Sequence, residues 1–151
     1  MTSSLRMLAL TSSLLAFSVG AVTSQTEPVT ALAGIQILFK LDPLLSGPTY
    51  GGERWLSQRT FSSAAQEGQV GTVDVKVHGV AAGGKLVVIV AEWTAADPDW
   101  VTVTAGDAGT YRIVVKGAGE SKLRVSSQGF SKELIVRAKS LGIGIQVEIS
   151  Q

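Results

Sequence analysis

The sequence predicts an all-β fold, an antiparallel β-sandwich of about seven or eight strands, and three observations predict it. Along most of this 151-residue chain, apolar residues recur at every second position. Gly residues and an Asp-Pro pair punctuate those runs at nearly regular intervals. After the N-terminal segment, no stretch carries the apolar stripe of an amphipathic helix.

Each element follows from this period. Ile35, Ile37, Phe39 and Leu41 alternate with Gln36, Leu38 and Lys40, a strand stopped by Asp42-Pro43. Val73, Val75 and Val77 alternate with Asp74, Lys76 and His78, which predicts a half-buried strand. Leu86 to Trp93 (LVVIVAEW) is β-branched and nearly all apolar. It predicts a central strand buried on both sides, or one whose outer face meets a partner. Trp100 to Thr104 reads as a short strand. Tyr111, Ile113 and Val115 form the inward set of the next, and Leu123 and Val125 that of another. Glu133 to Ala138 and Ile143 to Ile149 complete the series. Between the runs stand Gly79, Gly83-Gly84, Asp97-Pro98, Gly106-Asp107, Gly117, Gly119, Gly129 and Gly142. Gly supplies positive φ and Asp-Pro starts turns, so each gives the chain a way to reverse.

The segment 42–71 breaks the regularity. It holds Pro43, Gly47, Pro48, Gly51-Gly52 and the polar run Ser62 to Gln69, and it reads as one long loop. It also holds Tyr50, Trp55 and Phe61, the densest aromatic cluster in the chain.

The first two dozen residues read as a targeting segment. Arg6 precedes the apolar and small run Met7 to Val22, and no acid occurs before Glu27. That order is the pattern of a secretory signal. Small residues permit cleavage after Ala21 or Ser24, and Ala31-Leu32-Ala33 offers a later site. The expected organisation is a signal peptide over 1–24 with cleavage between 21 and 33, a linker over 25–34, and one sandwich over 35–151. The implied location is outside the cytoplasm: periplasm, cell surface or medium. A membrane enters only through the signal segment, if it stays uncleaved.

Charge and cysteine content remove several classes of function. The chain has 13 Lys and Arg, and loss of Arg6 leaves 12 against 12 Asp and Glu. A neutral domain with scattered bases has little attraction for nucleic acid. The chain has no Cys, so disulfides, thiolate metal sites and a cysteine nucleophile are excluded. An exported domain without disulfides rests on its core, and about 125 residues suffice for one.

A strand ending in Trp93, the Asp97-Pro98 turn before Val101-Thr102-Val103, the Gly117-Ala118-Gly119 turn and the run Ser131 to Val136 together resemble the bacterial immunoglobulin-like group 2 domains of invasin- and intimin-type adhesins. Trp93-Thr94-Ala95-Ala96-Asp97-Pro98-Asp99-Trp100-Val101-Thr102-Val103 is similar to the family's strand ending in Trp, its Asp-Pro turn and its following short strand. Gly117-Ala118-Gly119-Glu120-Ser121-Lys122-Leu123-Arg124-Val125 resembles its Gly-x-Gly turn and penultimate strand, and Ser131 to Val136 its closing strand. Trp100 departs from the smaller residue usual there, and segment 42–71 has no counterpart in the family pattern. The resemblance implies an immunoglobulin-like sandwich, a core role for Trp93 and action by contact.

No residue pattern points to catalysis. His78, the one histidine, falls on the polar face of its strand, and no Gly-x-Ser-x-Gly turn presents a nucleophile. One histidine without cysteine makes no transition-metal cage. Asp97, Asp99 and Asp107 suit turns and caps better than a calcium site. Gly117 to Lys122 precedes a strand and has the wrong order for a phosphate loop. Glu92 beside Trp93, and Glu53-Arg54-Trp55, read as solvated charges rather than a glycosidase pair. No catalytic residue, cofactor or metal is therefore expected. The expected function is a non-catalytic exported module acting by protein or cell-surface contact in adhesion, a structural role or a stalk. The alternative is a carbohydrate-binding module stacking exposed aromatics on sugar. The candidate ligand or partner surface is Tyr50, Trp55, Phe61 and Trp100, with the outer face of Leu86 to Val90 as a further partner face.

Overall fold

The computed structural model describes residues 31–42, 53–66 and 68–151. Eleven strands and no helix make up the described chain. They are β1 (Leu32–Lys40), β2 (Trp55–Leu56), β3 (Thr60–Gln66), β4 (Gly71–Ala81), β5 (Leu86–Val88), β6 (Glu92–Ala95), β7 (Val101–Ala105), β8 (Thr110–Val115), β9 (Gly119–Ser127), β10 (Phe130–Ser140) and β11 (Gly144–Ser150). All pair antiparallel in two sheets, a β-sandwich. The first sheet runs β2-β1-β4-β8-β7, with β5 also beside β4, and the second runs β3-β11-β10-β9-β6.

The two-residue alternation builds the core. Ile37 and Phe39 of β1, Val73, Val75 and Val77 of β4, and Tyr111, Ile113 and Val115 of β8 point inward. They meet Leu123, Val125, Leu134, Val136, Val147 and Ile149 of the second sheet in one apolar cluster. Phe39 stacks on Phe61 across the sheets, with ring centroids 4.8 Å apart and planes 5° apart. The layers approach closely at Gly71, where a Cβ would sit 2.2 Å from Val147 Cγ2. The β9–β10 hairpin turns through Gln128 (φ 49°) and Gly129 (φ 84°). Two positive φ values between paired Ser127 and Phe130 match the twist of the flanking strands.

Three expectations from sequence need correction. The run Leu86 to Trp93 is not one central strand. Leu86 to Val88 pairs with β4 in the first sheet, and Glu92 to Ala95 pairs with β9 at the edge of the second. The chain crosses between them at Ile89 and Ala91, both buried, while Val88 and Val90 face out. Continuous apolar character here marks a corner between sheets rather than a strand covered on both faces.

The segment 42–71 is not a single loop. It contains β2, pairing with Phe39 and Lys40, and β3, pairing along β11 from Ser150–Thr60 to Gly144–Gln66. β3 hides in the sequence because its inward positions are Phe61, Ser63 and Ala65. Two of those three are small, and an edge strand demands little burial. The linker also ends sooner than expected, because β1 begins at Leu32. The signal segment 1–24 lies outside the described residues.

Candidate contact surface

The outer face of the first sheet carries charged side chains among apolar Leu38, Val80 and Val114. Lys40 and Trp55 are cross-strand partners, and the Lys76 ammonium lies 4.2 Å from the Trp55 ring centroid, a cation–π distance. The Lys40 ammonium ion-pairs with Glu53 and holds its carboxyl below the usual carboxylate range. Asp74 and Arg112 sit opposite each other in the β4–β8 ladder. The guanidinium donates to both carboxylate oxygens, at 2.7 and 3.1 Å, and its own pKa rises in response. His78 lies between Gln36 on β1 and Val88 on β5. Its Nδ1 is buried without a hydrogen-bond partner, and desolvation, with Lys76 nearby, lowers its pKa.

The second sheet is similar outside. Arg137 donates to Glu120 at 2.7 Å and lies 3.9 Å from Glu148, and Lys122 reaches Glu133 at 2.9 Å. Such exposed pairs add little stability each. They do keep both sheet faces solvated.

The four aromatic candidates do not form one surface. Trp55 is half-buried at the β2 edge of the first sheet, with its ring beside Lys76. Phe61 is buried in the core against Phe39. Trp100 precedes β7 at the opposite edge and is half-buried. Its indole N–H donates to the Gly117 carbonyl at 3.0 Å, and a Cβ on Gly119 would lie 3.1 Å from its ring. Trp100 is thus engaged in bracing the β8–β9 turn. Tyr50 lies outside the described residues. Trp93 is half-buried, packs on the core and lies 5.6 Å from Tyr111 between centroids.

Apolar exposure gathers elsewhere. Val90 is 86% exposed and Val88 63%, with Leu86 and Phe130 also uncovered. Val88, Val90, Phe130 and Glu92 line a groove of about 630 Å³ between the β5–β6 crossing and the β9–β10 turn. Val70, Leu141 and Ile143 form a second exposed group, with Ile143 80% exposed, and Leu56 on β2 is exposed as well. Leu86, Val88 and Val90 belong to the partner face expected from sequence. Phe130 and Leu141 are not marked by the sequence pattern, and Ile143, expected to open the last strand, instead stands at the turn tip before β11. A further opening of about 700 Å³ lies between β4 and β3, lined by Lys40, Asp42, Phe61, Asp74 and Gln146 among others.

Among the described residues, no three His, Cys, Asp or Glu side chains are placed to hold a metal ion. Among the same residues, no helix is long and apolar enough to cross a membrane. The chain matches no family model, no curated protein and no solved structure.

Proposed function

We infer that this is an exported, non-catalytic, immunoglobulin-like module that works by contact with a protein or a cell surface, in adhesion, a structural role or a stalk. The observation that carries this reading is the placement of apolar exposure. Val88, Val90 and Phe130 at one end, and Val70, Leu141 and Ile143 at the other, stand in water while both sheet faces carry ion-paired charge. Apolar groups left uncovered together are characteristic of contact surfaces. The apolar run Met7 to Val22 supports export, and the Trp93 to Val103 resemblance supports the immunoglobulin-like assignment.

The test is binding of the purified protein to intact cells and to immobilised surface proteins, alongside a glycan array. Saturable binding to a protein or cell surface, unaffected by Trp55→Ala and Trp100→Ala, is the expected result. Retention on a polysaccharide that either substitution abolishes would replace this reading with the carbohydrate-binding one.

A further inference from the structure

The ladders place the two exposed apolar groups at opposite ends of the sandwich. At one end, Leu141 to Ile143 form the β10–β11 turn, closed by the Leu141 N–H donating to the Gly144 carbonyl at 2.8 Å. Ile143 stands 80% exposed on that turn, with Leu141 and Val70 uncovered at the same end. β4 spans the molecule: Gly71, next to Val70, pairs with Val115 near the turn, whereas His78 pairs with Val88 at the far end. There lies the groove of about 630 Å³ lined by Val88, Val90 and Phe130. Glu92 is the one ionisable residue among the described lining of this groove. Lys116 is the one ionisable residue in the described lining of the hollow beside the turn. One end therefore carries an apolar knob next to a base, and the other a groove in which exposed Val88, Val90 and Phe130 stand among Ser126, Ser127, Gln128 and Ser131 next to an acid.

We propose that the Leu141–Ile143 knob of one molecule seats in the Val88–Val90–Phe130 groove of a second copy of this chain, so that the protein associates head to tail. Both halves of the contact reside on the same chain, each presents exposed apolar side chains, and the ionisable residues beside them, Lys116 and Glu92, are opposite in sign. Because knob and groove differ, the contact is heterologous. Each added copy leaves one free knob and one free groove, so association continues with concentration instead of stopping at a pair. This inference deepens the contact reading by naming one partner, and it rests on that reading only for its setting.

Sedimentation velocity over a concentration series tests it. The mass of the wild-type protein climbs past a dimer as concentration rises. Ile143→Lys and Val90→Lys each remain monomeric with unchanged circular dichroism, since both side chains are far out in solvent. An equimolar mixture of the two variants forms a dimer and nothing larger, because it holds one intact knob and one intact groove per pair. A wild-type protein monomeric throughout the series would overturn the proposal. So would a mixture that stays monomeric, or association lost in Val90→Lys and kept in Ile143→Lys, which would indicate groove-to-groove pairing. Cell or protein binding that persists in the monomeric variants leaves the contact reading standing whatever happens to self-association. Intact self-association without any such binding removes the cell-surface and foreign-protein partners from the contact reading and leaves this inference standing.

Discussion

The Tyr111 hydroxyl accepts from the Ala91 N–H at 2.8 Å and donates to the Ala91 carbonyl at 3.1 Å. Ala91 is buried at the point where the chain has left one sheet and not yet joined the other. No ladder serves its backbone there, and buried backbone groups require partners. One phenol meets both needs. Tyr111→Phe keeps the ring in the core and strips both bonds, so urea unfolding is expected to show a loss of about 2–3 kcal/mol. His78 makes a pH-dependent contribution of the opposite kind. Its pKa in the folded chain is depressed by desolvation and by Lys76, so the unfolded chain binds the proton more readily. Its stability contribution is intact above the unfolded value near 6.5. It erodes as pH falls through that value and levels off below the folded one. His78→Gln is expected to flatten the dependence of the urea midpoint on pH across this window, and an unchanged slope would reject the assignment.

At the scale of the element, the crossing between β5 and β6 gives the sharpest contrast. Ile89 is buried in the corner between the sheets, whereas Val88, its neighbour, is 63% exposed. A strand covered on both faces would suffer at either position. The crossing predicts that Ile89→Ala costs about 2–4 kcal/mol in chemical denaturation, while Val88→Ser changes stability by less than about 0.5 kcal/mol. The sequence made β4, β8 and β9 legible because their inward Val, Ile and Leu alternate with mostly charged or polar residues, Val80 and Val114 being the apolar outward ones. It concealed the crossing because Leu86 to Val90 carries no polar residue to mark which side chains face out. β3 stayed hidden for the reverse reason: Ser63 and Ala65 fill inward positions where little volume is needed. Of the aromatic candidates, Phe61 and Trp100 could not be placed by composition. An aromatic residue in a polar stretch looks the same whether it turns into the core or out to solvent. Their positions depend on Phe39 and Gly119, each far away in sequence.

At the scale of the molecule, closure of the second sheet depends on contacts very distant along the chain. β3 joins that sheet by pairing Phe61 with Ile149 and Thr60 with Ser150. The C-terminal Gln151 N–H then donates to the Arg59 carbonyl at 2.8 Å, and its side chain reaches the Gln58 carbonyl. Bringing such segments together has an entropic cost before any contact compensates it, which is why sandwiches of this kind fold in milliseconds to seconds. The hairpins β7–β8, β9–β10 and β10–β11 are local by comparison, and their inward faces supply much of the apolar cluster. They can associate before β3 arrives. Phe61→Ala removes the stack on Phe39 and the largest inward side chain of β3, while every residue of those hairpins stays in place. If β3 docks after the main barrier, the substitution raises the unfolding rate and leaves the folding rate nearly unchanged in a stopped-flow chevron. A folding limb slowed in proportion to the lost stability would instead place the β3–β11 closure within the nucleus, and the hairpins would then be too weak to organise the core without it.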